Sequence, residues 1–286
     1  MNAAVLNASS AVRPLQCDIG FSARRRGTTY VGRQNVAYPF HLGRQLQLSG
    51  DPPGMAAVYL QSCSGGIFAG EALGLCLTAA AGSHAHVSTG AATVAHSMLE
   101  ADALQTVRLD AHDSAYLEYL PKPTLMFPRA RLTSLIEVTH RPGACVVVSD
   151  SFGVHVPDGM NGSFDWYRAS IDVRTPAGRL LVSDRMFVEG DDFESDVIGV
   201  MRDRTVLSTL MIVTDGPIID SLSEALRGAL PIEPEGSWGV SRLPNACGLV
   251  VRLAARDATI LSRLTHRVWA TVRRLRFGVE PAARRH

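Results

Sequence analysis

The sequence predicts a mostly β protein with two α-helices near its C-terminus, and three observations carry that reading. Apolar and polar residues alternate in short runs over roughly the first 230 residues. Glycine- and proline-bearing turns separate those runs at fairly even spacing. Helical periodicity appears only twice, both times late in the chain.

The alternation is clearest where apolar residues share a face. Leu46 and Leu48 do so between Arg44 and Leu48. Leu132, Ile136 and Val138 do so in a stretch ending before His140, and Ala169, Ile171 and Val173 alternate with Arg168, Asp172 and Arg174. Asp51-Pro52-Pro53-Gly54, Gly65-Gly66, Arg141-Pro142-Gly143 and Pro176-Ala177-Gly178 supply the turns. The residues show no repeat period, so alternation alone leaves a sandwich, a barrel and a solenoid equally open. Ile218, Leu222, Ala225 and Leu226 then fall at helical spacing, with Gly228 and Pro231 as a stop. From Asp257, a suitable N-cap, the residues Ile260, Leu261, Leu264, Val268, Trp269, Val272 and Leu275 form one stripe. Arg263, Arg267, Arg273 and Arg274 lie largely off it and read as a solvated cationic rim. A single domain over 17–277 is expected, with disordered tails at 1–16 and 278–286.

A chain of 286 residues, 46% hydrophobic and 19% charged, buries a sizeable core without disulfides or metal staples. Its net charge of +1 offers no overall field for nucleic acid or an anionic membrane. The five cysteines are widely spaced and form no CxxC pair, which excludes a zinc ribbon and a thioredoxin-like centre. The start of the chain carries no cationic segment followed by an apolar core, and no apolar run approaches the roughly 18 residues of a membrane span. A cytoplasmic protein is expected.

Four segments could carry chemistry. Ser64 to Leu73 holds Gly65, Gly66 and Gly70 around two apolar residues, followed by Glu71, so a tight turn presents a carboxylate. It lacks both the GxGxxG and the Walker pattern. His84 and His86, at i and i+2 in a strand, project to one face as a metal site would need, although no further ligand completes a set. Ser149-Asp150-Ser151 reads as a turn, and the acidic run Glu189 to Glu194 as a solvated loop without a calcium frame. GxSxG is absent, and no enzyme signature survives.

In order and spacing, these segments resemble the UreD/UreH family of urease accessory proteins. Gly65 to Leu73 resembles its GG(I/V)xGGDxL signature, and Gly82 to Ala92, with Thr89, resembles GAHxxxTTxAA. Leu117 to Phe127, containing Glu118 and Pro121, resembles LEWLPQETIxF, and Gly239 to Pro244 and the last helix follow. The likeness runs from about Cys17 to Phe277. It implies a β-solenoid body resembling a right-handed β-helix. It also implies a non-catalytic scaffold that binds apo-urease and a UreF-type adaptor, which holds a nickel-carrying GTPase of the UreG type. No cofactor is tightly held in such a protein; nickel passes transiently along a polar internal path. By position the implied path residues are Glu71, where the family usually has Asp, and Asp184 before Arg185, with Asp158 the nearest acid in an eroded LGRxxxGE element. His84 and His86 are candidates for transient nickel contact. Two alternatives stay open: a metal-dependent hydrolase using His84 and His86, and a generic β-rich protein-binding module.

Overall fold

The computed structural model describes residues 15–193, 201–231 and 236–281. The expected tails fall outside these residues over 1–14 and 282–286. Strands β1 (Cys17–Ala23), β2 (Thr29–Val36) and β3 (Phe40–Leu42) open the chain, and four coils follow. The first joins β4 (Ala56–Ser62) to β5 (Ala72–Ala79). The second runs through β6 (His84–Thr89), β7 (Thr93–Ala95) and β8 (Ala103–Ala111), and the third through β9 (Tyr116–Tyr119), β10 (Thr124–Met126) and β11 (Arg131–His140). The fourth joins β12 (Cys145–Val154) to β13 (Trp166–Arg174). After these come β14 (Leu180–Glu189), α1 (Gly190–Phe193), β15 (Val206–Val213), α2 (Ile218–Ala229), β16 (Gly236–Arg242), β17 (Gly248–Ala255) and α3 (Ala258–Phe277).

Like strands of successive coils pair in parallel, which makes the body a β-solenoid. One sheet is ordered β14-β13-β11-β8-β5-β1-β2, and the other β16-β17-β15-β12-β9-β6-β4-β3. A short third face is built from β7, β10 and the end of β12. Ala56, Ala85, Leu117 and Val146 are successive register partners, all fully buried, at a spacing of roughly 30 residues that composition does not betray. Between the sheets these residues meet Ile19, Leu77, Val107, Leu109, Ile136 and Ile171 from the opposite side.

The two sheets differ in what covers them. The first buries one face, so β11 and β13 alternate strictly between buried and partly exposed residues, as their sequences predict. The second is buried on both faces, because α2 and α3 pack on its outer side through Ile219, Leu222, Leu226, Ile260, Leu261, Leu264 and Val268. Its strands β9 and β12 are therefore almost continuously buried and show no alternation. Both expected helices form. Asp257 caps α3, its Oδ1 accepting from Ile260 N at 2.8 Å, and Gly278 ends it at φ 68°.

Three local expectations are corrected. Leu46 makes only an isolated bridge to Ala57, so Arg44 to Leu48 is no strand. The acidic run contributes one helical turn, α1, because Gly190 sits where a Cβ would lie 1.9 Å from Phe164 O and Phe193 is buried. Arg273 does not belong to a solvated rim: it is fully buried.

Arg273 is buried because it anchors α3 to the second sheet through Glu118. The Glu118 carboxylate is 0% exposed. Its Oε1 accepts from Tyr116 Oη at 2.6 Å, Trp269 Nε1 at 2.8 Å and Arg273 Nε at 2.8 Å. Its Oε2 accepts from Arg273 Nη2 at 2.8 Å and lies 2.5 Å from His86 Nδ1. Arg273 Nη1 reaches Asp51 Oδ1 at 2.6 Å, and the guanidinium lies 4.4 Å above the Trp269 ring, which stacks on His86. Burial alone would raise the Glu118 pKa, but the Arg273 charge and the bonds from His86 and Arg273 hold it well below the usual carboxylate range. Truncating either ion leaves the other buried and unpaired. Glu118→Ala and Arg273→Ala are each expected to cost about 3–5 kcal/mol of stability. The double variant should cost clearly less than the sum, because both changes break one network. Denaturant unfolding of the four proteins in a double-mutant cycle measures this, and additive costs would contradict it.

Candidate functional site

Two voids flank the second sheet. The outer one is a cleft of about 650 Å³ between that sheet and α3, lined by His86, Ser88, Lys122, Ser151, His266 and Trp269 among others. The inner one, about 50 Å³, lies between the sheets and is lined by polar groups of Thr89, Thr93, Gln105, Thr106, Ser149 and Asp150 together with apolar walls. Pro121, Lys122 and Ser151 line both, so they form the wall between them. Ser151 is fixed there by a 2.7 Å bond with Ser208, and the Lys122 amide donates to Thr89 Oγ1 at 2.9 Å.

Asp150 is the polar centre of the inner void. The expected turn at Ser149-Asp150-Ser151 is in fact the middle of β12, where Asp150 continues the inward column of Val146 and Val148. It is 8% exposed, and its Oδ1 accepts from Tyr167 Oη at 2.6 Å. Oδ2 has no hydrogen-bond partner among the described residues. Burial pushes its pKa up to about 6 against the opposing Tyr167 and Ser134 groups, and the charge of nearby Asp184 raises it further. A buried carboxylate with one oxygen unmatched is costly as an anion and ready to accept a proton or a cation.

Asp184 stands on β14, where Oδ1 accepts from Arg252 Nη2 at 2.6 Å, with its side chain partly exposed. The Asp184 charge is thus felt at Asp150, although Asp184 itself is paired with Arg252 and lines neither void. Glu71 lies apart from them. Gly70 takes φ 77° and lets the chain turn so that Phe68 N donates to Glu71 Oε2 at 2.9 Å. Gly66 is needed for close approach, since a Cβ there would lie 2.3 Å from Val94 O. The Gly65 carbonyl oxygen accepts from His96 Nε2 at 3.0 Å.

His84 and His86 do share the face turned to α3. His84 packs against Tyr116 and Phe277, and burial together with the Arg276 charge lowers its pKa. His86 is bound to Glu118. Asp158 occupies an exposed turn soon after β12 and lines neither void. Thr89 and Pro121 line the inner void, while Glu118 anchors α3. Among the described residues no group of three His, Cys, Asp or Glu could hold a metal ion. Sequence reasoning missed Asp150. The available signal was its phase: it falls on the inward positions of a β-branched run.

The chain matches the family model for the UreD urease accessory protein over residues 15–286. It is 49% identical over 284 residues to a protein named urease accessory protein UreD 1 from Pseudomonas syringae pv. tomato, covering 98% of this chain and 100% of the relative. The protein of the same name from Pseudomonas syringae pv. syringae is 50% identical with the same coverage. That from Methylorubrum extorquens is 35% identical over 96% of this chain and 92% of the relative. The chain belongs to the UreD family of urease accessory proteins.

Proposed function

We propose that this chain is a non-catalytic scaffold in urease metallocentre assembly, which binds apo-urease and a UreF-type adaptor holding a UreG-type GTPase, and passes nickel through its interior as cargo. The observation that carries the reading is Asp150: a buried carboxylate, half unpartnered, facing a polar void whose wall is shared with an open cleft. Nickel takes oxygen and imidazole ligands. Donors met one at a time, as at Asp150 and then Asp184, suit transfer better than a closed cage, because each site must release what it accepts. Glu71, set in its glycine turn away from both, would serve as a separate contact on the way in or out. A hydrolase centred on His84 and His86 gains no geometric support, since among the described residues no group of three His, Cys, Asp or Glu is gathered to hold a metal ion and aromatic rings pack against His84.

The scaffold role is tested by co-expressing the chain with the adaptor, GTPase and urease subunits. A stable complex with the adaptor and nickel-loaded urease are expected, and Glu71→Ala should lower urease nickel content without lowering the melting temperature. Full loading by the Glu71 variant would remove that residue from the path.

Asp150 separates stability from function. Its folded pKa lies above the 3.8 of the unfolded chain, so between about pH 4 and pH 6 the folded state holds more protons and stability falls as pH rises. Above about pH 6 the loss is complete, and it amounts to about 2–3 kcal/mol. Asp150→Asn keeps the acceptor for Tyr167 and removes the charge. It should therefore stabilise the fold by about that amount at pH 7, by little below pH 4, and reduce nickel loading. Unfolding curves at several pH values and metal analysis of urease check both halves; a variant that is destabilised at pH 7, or that loads urease normally, contradicts the role given to Asp150.

A further inference from the structure

Tyr167 meets Asp150 from the opposite sheet. It stands on β13, 1% exposed, in the inward column with Ala169, Ile171 and Val173. Its ring stacks on Phe152 of β12, with centroids 4.2 Å and planes 24° apart, and Phe152 is itself fully buried. A ring packed in a filled core has one position, so the phenol delivers its hydroxyl across the gap between the sheets to Asp150 Oδ1 at 2.6 Å. Burial and the Asp150 charge push the Tyr167 pKa well above the usual tyrosine range, and the hydroxyl stays a donor. Ser134, buried on β11, hydrogen-bonds to the same pair.

The two oxygens of Asp150 therefore differ. Oδ1 is taken by Tyr167, while Oδ2 has no hydrogen-bond partner among the described residues. A free carboxylate turns about its Cβ–Cγ bond with little resistance, because that torsion is broad. One oxygen stays offered to the void only if the other is held. We infer that Tyr167 is a positioning residue for cation transfer: its hydroxyl fixes the Asp150 carboxylate so that Oδ2 remains presented to the inner void. The inference rests on the conduit reading above and adds to it the group that keeps the acceptor aimed. Asp150 lines the void and Tyr167 does not, so Tyr167 acts through Asp150 and not on the cation itself. A hydrogen bond to a charged group is strong enough to change an equilibrium constant about tenfold.

The test uses the full chain in complex with adaptor, GTPase and apo-urease, supplied with nickel over a range of concentrations, and follows nickel bound per urease with time. Tyr167→Phe removes the hydroxyl and keeps the ring on Phe152. It should raise the nickel concentration for half-maximal loading about tenfold and leave the maximal rate within about twofold, since the acceptor is present but less often aimed. In an Asp150→Asn chain the same change should shift that concentration by less than about twofold, because Tyr167 then has no carboxylate to hold. A merely structural tyrosine would cost as much in either background. An unshifted Tyr167→Phe chain, or the full shift in both backgrounds, overturns the positioning role and leaves the conduit standing. Should Tyr167→Phe fail to assemble with the adaptor, Phe152→Leu takes its place, keeping the hydroxyl and withdrawing the ring's support: a shift in the same direction is expected, and its absence overturns the role. If Asp150→Asn loads urease like the unaltered chain, the conduit fails and the role of Tyr167 with it.

Discussion

The structure depends on one buried carboxylate. Glu118 gathers Tyr116 from its own strand, His86 from the neighbouring strand, and Trp269 and Arg273 from α3, while Arg273 extends the link to Asp51. Removing two charges from water is expensive, and only saturation of both oxygens and the guanidinium makes the arrangement tolerable. What the network supplies is geometry: apolar packing alone would let α3 slide on the sheet, whereas these bonds fix its register and depth. The outer cleft exists because α3 is held at that position.

The solenoid explains how polar groups distant in sequence come to share an interior. Parallel coils place Thr89, Tyr119 and Ser149 beside one another around a void that no single segment could form. Apolar columns on either side carry the stability, so the fold tolerates one unsatisfied carboxylate at Asp150. Such a group is a cost that packing would remove if stability were the only demand. Its position, next to a polar void and coupled to Asp184, is what the proposed cation transfer would draw on.

Much of the fold was legible in the residues. Strands with one solvated face, such as Arg131–His140 and Trp166–Arg174, display the two-residue period, and both late helices announce themselves through apolar spacing, α3 also through its Asp257 cap. Alternation could not choose among β architectures, because the coil strands of the second sheet are buried on both sides and read as plain apolar runs. The solenoid came from resemblance to a family. The site was less legible. Glu71 and Asp184 were found by position, but Asp150 was hidden by flanking serines that mimic a turn, and the burial of Arg273 is invisible without its partner 155 positions earlier.

The central claim is that a nickel ion can lodge between the two sheets against Asp150. Anomalous diffraction at the nickel absorption edge, from crystals of the chain with its adaptor soaked in nickel, tests it most directly. The account predicts a peak within coordination distance of Asp150 Oδ2. Peaks confined to the outer surface, with none in the inner void, would contradict it.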